Sequence, residues 1–98
     1  MINLFEPVHP GEFIREMFME PFEISAADLA ERLHISPSTL SRVINGKTDL
    51  SVEMALKLSK VLGRSPESWI SMQAQYSLAI GRKNIGNELK DLKPLAFC

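Results

Sequence analysis

The sequence predicts an all-α fold, a compact five-helix bundle, on three observations. Apolar residues recur at spacings of three and four in five successive segments, as on an amphipathic helix, with none of the strict alternation of a strand. Serines stand at the heads of four of these segments (Ser25, Ser36, Ser51 and Ser65), two of them followed directly by proline. The joints between segments span only two to five residues, the connection length of helices packed side by side around one core.

Each element has its own local warrant. Helix one opens after "VHPGE", with Pro10 at the first helical position and Glu12 near the positive end of the helix dipole. Phe13, Ile14, Met17 and Phe18 supply its stripe, and Pro21 ends it. Ser25 caps helix two, with Asp28 where a capping-box acid belongs and Leu29, Ala30 and Leu33 as the inner face. Ser36-Pro37 opens helix three, Leu40, Val43 and Ile44 point inward, and Gly46 is a stop that tolerates the left-handed region. Helix four carries Met54, Ala55, Leu58, Val61 and Leu62 and closes at Gly63. Helix five starts at Ser65-Pro66-Glu67, carries Trp69, Met72, Tyr76 and Ile80 on one side, and weakens at Gly81. Residues 81–98 hold a weaker pattern in Ile85, Leu89 and Leu92, which leaves open a loose tail or a short extra C-terminal helix. The domain boundary therefore falls between 1–80 and 81–98.

Composition narrows the function classes. Ninety-eight residues, 45% of them apolar, make one domain with a modest core. No apolar run approaches the roughly 18 residues of a membrane span. The N-terminus lacks the basic start and apolar stretch of a secretion signal. The one cysteine is Cys98, so neither an internal disulfide nor a thiolate metal site is expected. A soluble, cytoplasmic protein follows as the expectation. The net charge of −1 hides an asymmetry. Residues 1–24 set five glutamates against Arg15 alone, a net of −4, whereas 32–64 set six cations against Asp49 and Glu53, a net of +4.

The stretch "ADLAERLHISPSTLSRVIN" suits two helices meeting at a steep angle. Ala30 is small where their backbones would come closest, and Leu29, Leu33, Ile35, Leu40 and Val43 close the corner. This arrangement resembles the helix-turn-helix of bacterial and phage repressors, which implies a second helix that presents its leading end to the major groove of DNA. The turn position that commonly holds glycine holds His34, a residue type that visits positive φ more readily than most. A metal or catalytic role for His34 would need partners, yet the only other histidine, His9, lies in another segment. No metal ligands, cofactor site or catalytic residues are therefore assigned.

Helix three spends its outer face on short hydroxyls and one arginine, a poor choice for packing and a good one for approaching DNA. Ser36 and Pro37 pin its first turn. Ser38, Ser41 and Arg42 face outward toward base edges, and Ser36 and Thr39 suit a base or a phosphate. Arg42 is the best candidate for sequence readout, since its forked guanidinium matches the two acceptors of guanine. Asn45, the Gly46 backbone and Lys47 follow the helix, where a loop end can grip phosphate.

Four motifs in order, "HPGE", "INGK", "EMALKL" and "SPESWISMQ", make residues 7–80 resemble the HigA-type antitoxins (virulence-associated protein I-like) of the XRE, phage-repressor-like regulators. The resemblance implies a lambda-repressor-like DNA-binding domain, usually a homodimer, that represses its own operon and binds a HigB-like RNA-cleaving toxin. Positions matching the family's base readers are Pro37, Ser38, Ser41 and Arg42; those matching its phosphate contacts are Asn45 and Lys47. Residues 81–98 match no family motif.

A palindromic operator in double-stranded DNA is the expected ligand, with half-site centres roughly 34 Å apart if two copies bind together. Tyr76 and Ile80, with the tail, are the expected dimer contact. Two rivals differ in kind. A protein-binding module that masks a basic partner would use the acidic first segment; an enzyme would need a nucleophile and base on one face, which the sequence does not place together.

Overall fold

The computed structural model describes residues 6–96, all of whose regular structure is helical; Cys98 lies outside the described residues. We number the α-helices α1 (Pro10–Ile14), α2 (Ala26–Leu33), α3 (Pro37–Ile44), α4 (Val52–Leu62) and α5 (Pro66–Asp91). Each starts where a side chain can take an orphan backbone N–H. Ser25, Ser36, Ser51 and Ser65 accept from the amides of Asp28, Thr39, Met54 and Ser68, all at 3.1 Å. Asp28 does stand three residues past its cap, and its Oδ1 takes the Arg32 Nε–H at 3.1 Å.

The first helical segment departs from the expected single α-helix. It is α-helical only to Ile14 and then π-helical over Arg15–Met19, with the Glu20 N–H reaching back five residues to the Arg15 carbonyl at 2.9 Å. A π turn takes more residues per revolution, so positions five apart come closer to one face. That is how Phe13 and Phe18 both meet Trp69, at ring-centroid distances of 5.8 and 6.2 Å.

The core gathers Ile14, the inner faces of α2 and α3, Leu50, Met54, Ala55 and Leu58 of α4, and Trp69 of α5. Trp69 is wholly buried, and its indole N–H donates to the Gly63 carbonyl at 3.0 Å, the partner a buried indole requires. Arg64, at φ +64°, lays its guanidinium over Phe13 and Trp69 at 4.9 and 5.6 Å.

Helix α5 continues through Gly81 to Asp91, with a local irregularity at Ile85 (φ −120°, ψ 16°). Gly81 does not end it, because a helical glycine costs only about 1 kcal/mol relative to alanine. The stop comes at Leu92, in the extended region, just ahead of Lys93-Pro94, where proline disfavours the α conformation of the residue before it. At 26 residues and 1.5 Å each, α5 is about 39 Å long, and its distal part projects from the bundle. The radius of gyration, 16.4 Å, exceeds the roughly 13 Å of a compact chain this size accordingly. No helix among the described residues is long and apolar enough to cross a membrane.

Candidate nucleic-acid interface

The turn between α2 and α3 is built as the sequence requires. His34 takes the left-handed conformation (φ 57°, ψ 45°), and the next amide, of Ile35, closes a six-residue loop onto the Ala30 carbonyl at 3.0 Å. This is a Schellman end with histidine in the position glycine usually takes. Lys57 Nζ, 3.5 Å from the His34 carbonyl, ties the turn to α4. Ala30 is buried at the corner, and Leu40, Val43 and Ile44 anchor α3 in the core.

All eight residues singled out in the sequence lie on or beside one outward strip of α3. Ser36, Pro37, Ser38, Ser41, Arg42, Asn45 and Lys47 are exposed; Thr39 is half-buried toward α4, where it lines a groove with Ile35, Ser51 and Met54. Ser36 Oγ joins Thr39 Oγ1 at 2.8 Å and Ser38 Oγ at 3.2 Å, a hydroxyl cluster at the leading end. Asn45 Nδ2 donates to Ser41 Oγ at 3.2 Å. The side chains of Arg42 and Lys47 have no hydrogen-bond or ion-pair partner among the described residues, whereas Arg32 pairs with Asp28 and Lys57 with Glu53. The uncommitted cations of the helix-turn-helix corner are thus those of the α3 face and its exit loop.

One expectation about the exit loop needs correction. The Gly46 N–H does not offer itself to a phosphate; it bonds the Val43 carbonyl at 3.0 Å, and the Lys47 N–H bonds the Arg42 carbonyl at 2.8 Å. Gly46 is needed for its φ of +72°, which lets the chain turn back on the helix end. The amides of Gly46, Lys47 and Thr48 are thus spent inside the loop, while the Lys47 side chain is exposed.

Three residues that hold this surface in place escaped the sequence reading as such. His9 caps α1, accepting the Gly11 N–H on Nδ1 at 3.0 Å, and lies 3.1 Å from the Thr48 carbonyl through Nε2. Gly11 packs against the backbone of Val43 and Ile44 at the end of α3 so closely that a Cβ would lie 2.7 Å from Ile44 Cα and overlap the Val43 carbonyl oxygen. Gln73 of α5, buried, accepts the Leu50 N–H at 2.8 Å and donates to Asp49 Oδ1 at 3.3 Å. The signals were a glycine in the first turn of a helix and a glutamine inside an apolar stripe.

Known proteins agree with this geometry. A family model described as helix-turn-helix matches residues 14–69. The antitoxin HigA-1 of Vibrio cholerae is 37% identical over 89 residues, covering 91% of this chain and 84% of its own. Virulence-associated protein I of Dichelobacter nodosus is 33% identical over 82 residues, covering 84% and 76%. Among solved structures, the Pseudomonas aeruginosa antitoxin HigA with the higBA promoter superposes at a TM-score of 0.86 with 33% identity, covering 93% of this chain and all of that one.

Proposed function

We propose that this chain, which belongs to the helix-turn-helix family, is a sequence-specific repressor in the cytoplasm and the antitoxin of a HigB/HigA-type pair that controls its own operon. The observation that carries this reading is the outward face of α3, with Arg42 and Lys47 free of internal partners beside a row of short hydroxyls. Arg42 reads a base, most favourably guanine, while Lys47 and Asn45 fix register on the phosphates. The partner protein is a basic, RNA-cleaving toxin, and the acidic first segment (net −4 over residues 1–24) supports that choice. A pull-down with the product of the adjacent reading frame separates this reading from a plain regulator, which would capture nothing.

Arg42→Ala and Lys47→Ala test the division of labour. The arginine variant is expected to lose roughly 1–3 kcal/mol at one base-pair position of each half-site and to tolerate other bases there. The lysine variant is expected to weaken binding to every duplex alike. Binding profiles over operator variants check both; an unchanged profile for Arg42→Ala would remove it from the base-reading role.

The repressor works as a homodimer on a palindromic site, since a single recognition helix touches few bases. The projecting part of α5 offers the seam: Leu78, Ile85 and Leu89, spaced seven and four apart, are each 44–54% exposed, and Leu92, just past the helix end, is 65% exposed. Tyr76 is a weaker candidate, because its half-buried ring stands against His9. A charge in the seam, Leu89→Lys, is expected to halve the mass measured by sedimentation while leaving the helical signal intact; an unaltered dimer would place the interface elsewhere.

A further inference from the structure

The loop from Asn45 to Leu50 is held from three directions. The Arg42 carbonyl takes the amides of Lys47 and Thr48 at 2.8 and 3.3 Å, Gln73 holds Leu50, and His9 reaches Thr48. The His9 bond spans 39 residues of sequence and joins a buried histidine, 5% exposed, to the carbonyl of an exposed loop residue. Because Nδ1 accepts from the Gly11 amide, the ring proton sits on Nε2 and is donated to the Thr48 carbonyl. One face of the bundle thereby clamps both imidazole nitrogens. The ring is also set by α5, whose Tyr76 stands edge-on to it, centroids 5.1 Å apart and planes at 82°, a favoured aromatic geometry. Gly46 also runs beside the ring: a Cβ added there would come 3.7 Å from His9 Cγ.

We propose that His9 is a positioning residue for DNA binding: by holding the Thr48 carbonyl against the Tyr76-braced start of α1, it fixes the loop from which Lys47 and Asn45 reach the phosphates. The proposal rests on the repressor reading and adds to it a second duty for a residue that also caps a helix. Without the Nε2 donor, the loop keeps its bonds to the Arg42 carbonyl but is no longer tethered to the α1 side. Lys47 then reaches its phosphate only by reordering the loop at the moment of binding, so its hold on that phosphate weakens or disappears. Base readout by Arg42, which sits on the rigid helix, is untouched.

The two duties separate by substitution. His9→Asn and His9→Ser both keep a side-chain oxygen able to cap α1, since asparagine and serine are among the best N-cap residues, and neither carries a donor at the distance of Nε2. Each is expected to bind the operator and random duplex more weakly by the same factor, about fivefold at roughly 0.15 M salt for each phosphate no longer gripped. The slope of log K against log salt should become shallower by about 0.9 per phosphate. A purely structural role lowers the folded fraction and leaves that slope where it was. In a Lys47→Ala background the His9 changes should add little, because residues acting through one interaction are not additive. Amide exchange over residues 46–50 in the free protein should quicken in both variants. Unchanged slopes in both variants, or full additivity with Lys47→Ala, would overturn the positioning role. A parent protein with no salt-dependent DNA binding would instead overturn the repressor reading beneath it, while faster loop exchange would still record the tether.

Discussion

Replacing Trp69 by alanine is expected to lower the free energy of unfolding by roughly 3–5 kcal/mol, a large part of the roughly 5–15 kcal/mol that a domain commands. The ring is fully buried and touches both Phe13 and Phe18, the two residues that the π turn brings to the same side. Its removal opens a cavity that the two phenylalanine rings cannot collapse to fill. It also strips the Gly63 carbonyl of the indole donor and Arg64 of one of its two aromatic surfaces. Trp69→Phe should cost less, because most of the apolar volume stays and only the N–H and part of the ring are removed. Urea titration followed by far-ultraviolet circular dichroism measures both, since the variants lack the sole tryptophan fluorophore. A destabilisation below about 1 kcal/mol for Trp69→Ala would be too small for a core side chain of this size and would contradict the packing described.

Gly11→Ala is expected to destabilise although it places alanine in a helix, where the propensity change alone favours it by about 1 kcal/mol. The new methyl meets backbone, namely the Val43 carbonyl oxygen and, at 2.7 Å, Ile44 Cα. Backbone in the last turn of a helix cannot swing aside as a side chain can, so α1 and α3 must move apart. Overpacking of this kind costs typically about 1–3 kcal/mol and occasionally more. It falls on the end of α3 and the start of its exit loop, so DNA affinity should drop together with stability. Gly81→Ala is the internal comparison: nothing stands within 4 Å of the position, and the same change there should stabilise by about 0.5–1 kcal/mol. Urea midpoints that move the same way for both glycines would refute the close approach of α1 to α3.

Much of this architecture was legible because it is written in local chemistry. The four capping serines, the left-handed His34 in place of glycine, the buried Ala30 at the corner and the indole's need for an acceptor are each decided within a few residues of sequence. What escaped has distant causes. The start of helix one was read from Pro10 and Glu12, whereas the duties of His9 and Gly11 depend on Thr48, Val43 and Ile44, more than thirty residues away. Gln73 looked like one more position of the last core helix, and only the fold brings it to the Leu50 amide. The π turn leaves no mark in a pattern that α-helical spacing already explains. Gly81 misled in the other direction, since one glycine weighs little in a long helix. The candidate site residues were chosen by type and expected exposure; the fold exposes all of them but Thr39, which leans toward α4, and spends the Gly46 amide inside the loop.

Repression, autoregulation and the duty of His9 all depend on the exposed face of α3 gripping duplex DNA by sequence. Titrating the chain's own promoter and a scrambled duplex of equal length, each at several salt concentrations, tests this most directly. Binding to both is expected to weaken linearly in log salt, as phosphate neutralisation demands, with the promoter favoured by about a thousandfold or more. Equal affinity for the two duplexes, or affinity indifferent to salt, would contradict it.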